Sequence, residues 1–341
     1  MALKITPFVA LLVYVNGMAV TPLVHANSLF SEEKSKVGGY FQVLVGQHDR
    51  EGHSSAIERN SEISDMQSNS PLFSENFVTF YGEINYRFEK TNTTLFLASP
   101  DESLGKFVYP LEAGIRHTTA NDGEFSFSYV PKLSGGYAGE AWRDPYRTSA
   151  PRVKTDIELE ALRFSALYIL GAPFSFYYER GRQNVTDDHA GESQSHLSAA
   201  ALNQLKRSGQ FSLTSVSVTI PLASGLYVIP EYGYLAFNAN GDANQYRSNS
   251  LGVTLYYKAG PYELYSVYKH FDTDYHATHP VFSKKRQQNE EMIVLGANYH
   301  EPFDWKDTSL DFLVSASEEK SNIAFYDSRQ TVFMTGLTVR Y

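Results

Sequence analysis

Cysteine is missing from all 341 residues. Disulfide stapling is therefore excluded, and so is a lipid anchor on an acylated cysteine. Beyond residue 26 no apolar run reaches the ~18 residues of a membrane-spanning helix. A basic excess is also lacking. Removing Lys4 with the leader from the 29 basic residues leaves 28 against 38 acidic ones, a net of −10. That balance argues against nucleic acid as a partner.

What the chain has in quantity is aromatic residues, 24 Tyr and 22 Phe. Without disulfides, the core must come from packing or from a closed sheet. The first 26 residues place one lysine before an apolar stretch, Phe8 to Val15 and Met18 to Val20, followed by Val24-His25-Ala26. This pattern predicts a secretory signal peptide at 1–26, cleaved before Asn27, and a single domain over 27–341.

Period-two alternation recurs along that domain. Val78, Phe80, Ile84, Tyr86 and Phe88 share one face, with Thr79, Glu83, Asn85 and Arg87 on the other. Phe107 to Ile115, Phe125 to Tyr129, Phe174 to Tyr178, Leu251 to Tyr257, Ile293 to Tyr299 and Leu310 to Ala316 repeat the pattern. Aromatics often close these apolar faces, where interfacial girdles would fall. A soluble sandwich would bury the same faces in a shared core. The connections separate the two readings. Short turns at 89–92, 120–123, 171–173, 223–225 and 259–261 alternate with long polar segments at 50–75, 132–152, 184–208 and 272–289. Such asymmetry belongs to an outer-membrane barrel with its long loops outside the cell. The expectation is an all-β, single antiparallel transmembrane β-barrel of about fourteen strands. Twelve also fits, because 93–99 and 309–317 are short. Segment 196–207 has helical propensity within a loop.

The chain ends on Phe333, Leu337, Val339 and Tyr341, all on one strand face with no tail beyond. A closing strand must be complete, because it pairs with the first. These four residues also match the kind of C-terminal signal read by the barrel assembly machinery. The opposite faces carry Glu83, Arg87, Glu112, Arg116, Glu179, Asp311 and Arg340. These charges are costly against lipid and reasonable against a watery lumen.

"GEAWRDPY" (139–146), "HPVFSKKR" (279–286) and "NIAFYDSRQTVFMTGLTVRY" (322–341) resemble a Gram-negative outer-membrane family known as domain of unknown function 2860. The resemblance runs over essentially the whole mature chain. It implies an outer-membrane β-barrel and transfers no functional residues.

Three constellations remain. His270, Asp272, Asp274, His276 and His279 could hold a divalent metal or form a solvated loop; their spacing matches no standard site. Ser283 near His279, and Asp187 and Asp188 near His189, are the types a rim hydrolase would use, and nothing in the sequence orders them. No catalytic, cofactor or metal residue is therefore assigned. Basic residues gather at Arg143, Arg147, Arg152 and Lys154 and at Lys284, Lys285 and Arg286. They suit lipopolysaccharide anions, an inward-folded constriction loop, or plain solvent.

The sequence thus predicts a porin-like channel for small hydrophilic solutes in the outer membrane of a Gram-negative bacterium. It would be embedded in lipid and lipopolysaccharide. The competing readings are a non-transport surface barrel (adhesion, ligand capture or envelope integrity) and a rim hydrolase.

Overall fold

Strands whose two faces differ so sharply in polarity are satisfied only where one side meets hydrocarbon or a core and the other does not. In the computed structural model, which describes residues 36–67, 70, 72–99, 111–133 and 139–341, they close on themselves. The strands are β1 (Val37–Glu51), β2 (Phe73–Phe88), β3 (Thr93–Ser99), β4 (Glu112–Thr118), β5 (Glu124–Val130), β6 (Glu140–Trp142), β7 (Lys154–Leu167) and β8 (Phe174–Val185). The second half adds β9 (Gly209–Val218), β10 (Ile220–Ala223), β11 (Leu226–Ala239), β12 (Tyr246–Ala259), β13 (Tyr262–His279), β14 (Lys284–His300), β15 (Thr308–Ser321) and β16 (Ser328–Arg340).

Every neighbour pairing is antiparallel, and β1 pairs with β16 from Tyr40 opposite Arg340 to Glu51 opposite Arg329. β6 lies off the path, paired only with β7. β9 and β10 are two parts of one stave, interrupted at Thr219 and both paired to β11. The sixteen segments therefore make a closed barrel of fourteen staves. Closure leaves no edge with unpaired backbone groups, which is what a sheet in hydrocarbon requires.

The outer wall is apolar over a limited height. Phe41, Val45, Val78, Phe80, Ile84, Leu162, Leu251, Leu255, Ile293, Leu295, Phe312 and Phe333 all stand exposed on it. Beyond this belt, toward the end with the longer loops, the outward positions turn polar. On β13 they run Tyr262, Leu264, Ser266, Tyr268 and then His270, Asp272, Asp274, His276. On β14 Ile293 and Leu295 give way to Glu291, Asn289, Gln287 and Lys285. The β13–β14 hairpin thus rises well above the belt. The segment 272–289 is not a long loop. It is strand on both sides of a turn at 280–283, and its polar sequence reflects walls that face water. β15 likewise runs the full length from Thr308 to Ser321, longer than the stretch 309–317 suggests.

The long segments near 50–75, 132–152 and 184–208 do gather at one end, with the short connections 240–245, 280–283 and 322–327 beside them. At the opposite end lie the tight turns and both chain ends of the barrel. The helical tendency of 196–207 appears as one turn, Ala199–Asn203, capped by the Ser198 hydroxyl accepting from the Ala201 amide at 3.2 Å. The leader 1–26 and its cleavage point, and Phe107 and Tyr109, lie outside the described residues.

Candidate functional site: the charged inner wall and its loop cover

Inward positions of β2, β4, β5, β7 and β8 build a chain of charges near the turn end. Glu83 accepts from Arg116 at 3.1 Å, and Arg116 reaches Glu124 at 3.4 Å. Arg163 donates to Glu112 at 2.5 Å and stands 3.8 Å from Glu179. The Tyr177 hydroxyl donates to Glu179. On the other side Gln42 and Ser309 donate to Asp311 at 3.0 Å each, together with Thr338, and Lys269 pairs with Glu231 at 2.7 Å. Arg340 shares the inward face of β16, and Arg87 sits exposed at the turn-end rim of β2. Glu83, Glu112, Arg116, Glu179 and Asp311 make these contacts, and strand alternation puts Arg87 and Arg340 on the same side of their strands. Sequence reasoning missed Arg163, Glu231 and Lys269, because β7, β11 and β13 alternate less cleanly, and Glu124, because it opens β5 at the edge of a turn.

Inward glycines shape this wall. A Cβ on Gly296 would meet the Tyr265 ring at 1.9 Å, one on Gly114 the Phe96 ring at 2.5 Å, and one on Gly181 the Phe211 ring at 2.4 Å. Gly46 receives Phe77 in the same way, at 2.9 Å. In each case a ring from a neighbouring strand occupies the space that a Cβ on the glycine would take.

At the loop end, side chains from six connections meet. Ile63, Tyr146, Ala190, Leu205, Ala243, Ile323, Phe325 and Tyr326 form one buried cluster, with Met66, Leu197, Val281 and Phe282 packed against it. At its centre the Tyr146 and Tyr326 hydroxyls lie 2.8 Å apart, and each is 2.9 Å from His279 Nε2. The Val281 amide donates to His279 Nδ1 at 3.3 Å. Arg286 lies over the Tyr326 ring at 3.5 Å and the Tyr275 ring at 4.4 Å, and reaches Glu319 at 3.3 Å. Burial raises the pKa of both loop tyrosines. His279, above the apolar belt, is pulled down to about 3 by burial and by Arg286 beside it.

Two further fastenings hold the cover. Buried Arg152 donates to the Asn60 carbonyl and, at 3.1 Å each, to the His53 and Pro145 carbonyls; its guanidinium stacks 4.5 Å over Trp142. Burial brings its pKa down to about 10, so it stays charged at neutral pH. The Trp142 indole in turn donates to the Ser55 carbonyl at 2.9 Å. Asp144 accepts from the amides of Tyr146, Gly191 and Ser193, tying segment 139–153 to 186–208. The segment 139–153 is thus bolted to 53–60 and to 186–208 at the loop end.

The expected basic cluster is dispersed by this arrangement. Arg152 and Arg286 are buried fasteners, Arg143 pairs with Asp187 at 2.9 Å, and Arg147, Lys284 and Lys285 stay exposed. The His/Asp segment is split by the strand's alternation: His270, Asp272, Asp274 and His276 point outward, His279 inward. Among the described residues no three metal-ligating side chains converge. His279 uses its nitrogens on Tyr146, Tyr326 and the Val281 amide, and Ser283 meets it only through a backbone bond to the His279 carbonyl. His189 is bracketed by Asp187 at 2.7 Å and Glu192 at 2.6 Å.

A closed antiparallel barrel with an apolar outer belt is an outer-membrane protein by its physics. The model of one protein family spans residues 38–340, almost the whole barrel. The chain belongs to the family described as protein of unknown function (DUF2860). No curated protein matches this DUF2860 member. Solved structures similar to it include the CymD monoaromatic hydrocarbon channel, at 9% identity and a TM-score of 0.46, covering 91% of this chain and 89% of that one. Pseudomonas aeruginosa OpdQ follows at 9% identity and 0.37, covering 91% and 100%. A loop L8 deletion mutant of OmpT, an outer membrane protein of Vibrio cholerae, stands at 10% and 0.41, covering 90% and 100%. Likenesses this distant carry no argument about transport.

Proposed function

We propose that this DUF2860 barrel is a porin-like channel for small hydrophilic solutes, with its loop end facing outside the cell and its mouth covered by its own loops. The observation that carries the reading is the inner wall. Ion pairs line it, and four aromatic rings pack into the space over inward glycines. Fourteen staves fall between eight-stranded barrels, which are filled by side chains, and the sixteen-stranded porins with their water channel. The loop cover then acts as the gate. The charged inner wall favours polar cargo.

The chain passes little but small polar solutes, is inserted by the barrel assembly machinery through its Phe333–Tyr341 face, and has no enzymatic role. Liposome swelling tests this. Proteoliposomes should admit small sugars and amino acids and reject solutes much larger than a disaccharide. Swelling no faster than protein-free vesicles, for the wild type and for a variant lacking residues 140–152, would favour the surface-barrel alternative.

A further inference from the structure

The outer wall just above the apolar belt is asymmetric in charge. On β8 the outward residues run Phe174, Phe176, Tyr178, then Arg180 and Arg182, both exposed. Arg180 stands opposite Leu162 of β7 and Ser212 of β9, and Arg182 opposite Glu160 and Gln210. Farther round, Arg247 of β12 stands outward between Ala236 of β11 and Asp274 of β13, and donates to Asn238 at 3.1 Å. Lys132 follows β5 and pairs with Glu158 at 2.7 Å, one of the three outward carboxylates of β7 with Asp156 and Glu160. A cavity of about 220 Å³ opens between Lys132, Glu158, Glu160, Arg182 and Asn184. The arc that adjoins it is acidic, with outward Asp272, Asp274, Glu291 and Glu318.

Depth gives this arc its meaning. Arg180 follows the aromatic Tyr178 by two residues, about 5–7 Å along the strand. That is headgroup depth, where an outward arginine is tolerated if an anion meets it. The side chains between the arginines, Asn184, Gln210, Ser212 and Asn238, are neutral hydrogen-bonding groups suited to sugar hydroxyls. Arginine's fork matches a phosphate in a bidentate fashion.

We infer that the outward wall of β7, β8, β9, β11 and β12 binds one lipopolysaccharide molecule, with Arg180, Arg182 and Arg247 on its phosphates and the neutral residues on its sugars. The inference rests on the outward orientation of the loop end proposed above. It places the site on the barrel wall and not on the basic loop residues, several of which are fastened inside the cover.

Native mass spectrometry of protein extracted from outer membranes in mild detergent tests it. The wild type should carry a lipopolysaccharide adduct. The R180A/R182A/R247A variant should lose it roughly tenfold or more, since charge-assisted phosphate contacts are the strong ones. A variant of the acidic arc away from the site, E291Q/E318Q, should keep it. Heat-modifiable migration confirms that each variant folds. Wild type without any adduct, with phospholipid adducts only, or with equal retention in the triple variant would overturn the site. Phospholipid on the wild type, abolished in the triple variant, would point to an inverted orientation. Channel activity is read separately by liposome swelling, so loss of one claim leaves the other standing.

Discussion

His279 sits at the centre of the buried loop cluster. Its imidazole is shared between two tyrosine hydroxyls and a backbone amide, with Arg286 and its partner Glu319 beside it. Burial and Arg286 hold its pKa at about 3, against 6.5 when exposed. The closed cover therefore binds fewer protons than the open one. Closure should be at full strength above about pH 6.5 and weaken by about 1.4 kcal/mol per pH unit as pH falls toward 3. Trp142, 1% exposed under the cover, reports it. In a W305F background its emission should shift red and become accessible to iodide as pH drops from 7 to 4, and H279F should abolish the pH dependence. An unchanged spectrum down to pH 4 would remove His279 from this role. A second residue-scale prediction concerns Gly296. Its added Cβ would stand 1.9 Å from Tyr265, so G296A must push the ring off the wall or shift the strand. The expected cost is about 1–3 kcal/mol, read from the urea midpoint. Neither residue was legible as a site in the sequence. Tyr146 and His279 are 133 positions apart, and Tyr146 and Tyr326 are 180 apart, so no local period could join them.

At the scale of elements, strands were more legible than loops, for a physical reason. Lipid on one side and water on the other write a period of two into β2, β4, β5, β12, β14 and β16, and that period survives in a single sequence. Where a strand leaves the belt, both faces turn polar and the signal fades. This is why the rising part of the β13–β14 hairpin reads as a loop over 272–289, and why β15 reads short. The loop cover was least legible, since its contacts are set by closure. The final strand tests the role of alternation directly. Tyr341 and Phe333 are exposed on the outer wall, 61% and 49%, while the Tyr341 backbone bonds Gly39 in both directions at 3.1 Å. Deleting Tyr341 removes an anchor and two closing hydrogen bonds. The folded, heat-modifiable fraction in the outer membrane should fall several-fold; normal migration and yield would show that the residue is dispensable for assembly.

For the whole molecule, the account joins a closed barrel of fourteen staves, an inner wall of paired charges and a fastened cover into one gated pore. Acidic groups slightly outnumber basic ones on the inner wall, so weak cation preference should accompany conduction. Single-channel recording in planar bilayers tests the central claim most directly, comparing wild type with a variant in which residues 140–152 are replaced by a short Gly-Ser linker. That variant loses Arg152, Asp144, Tyr146 and Trp142 together, and so every fastening they make. The account predicts rare, small steps from the wild type and frequent, larger, weakly cation-selective steps from the variant. Folded protein that stays silent in both forms, or steps of equal size in both, would contradict it.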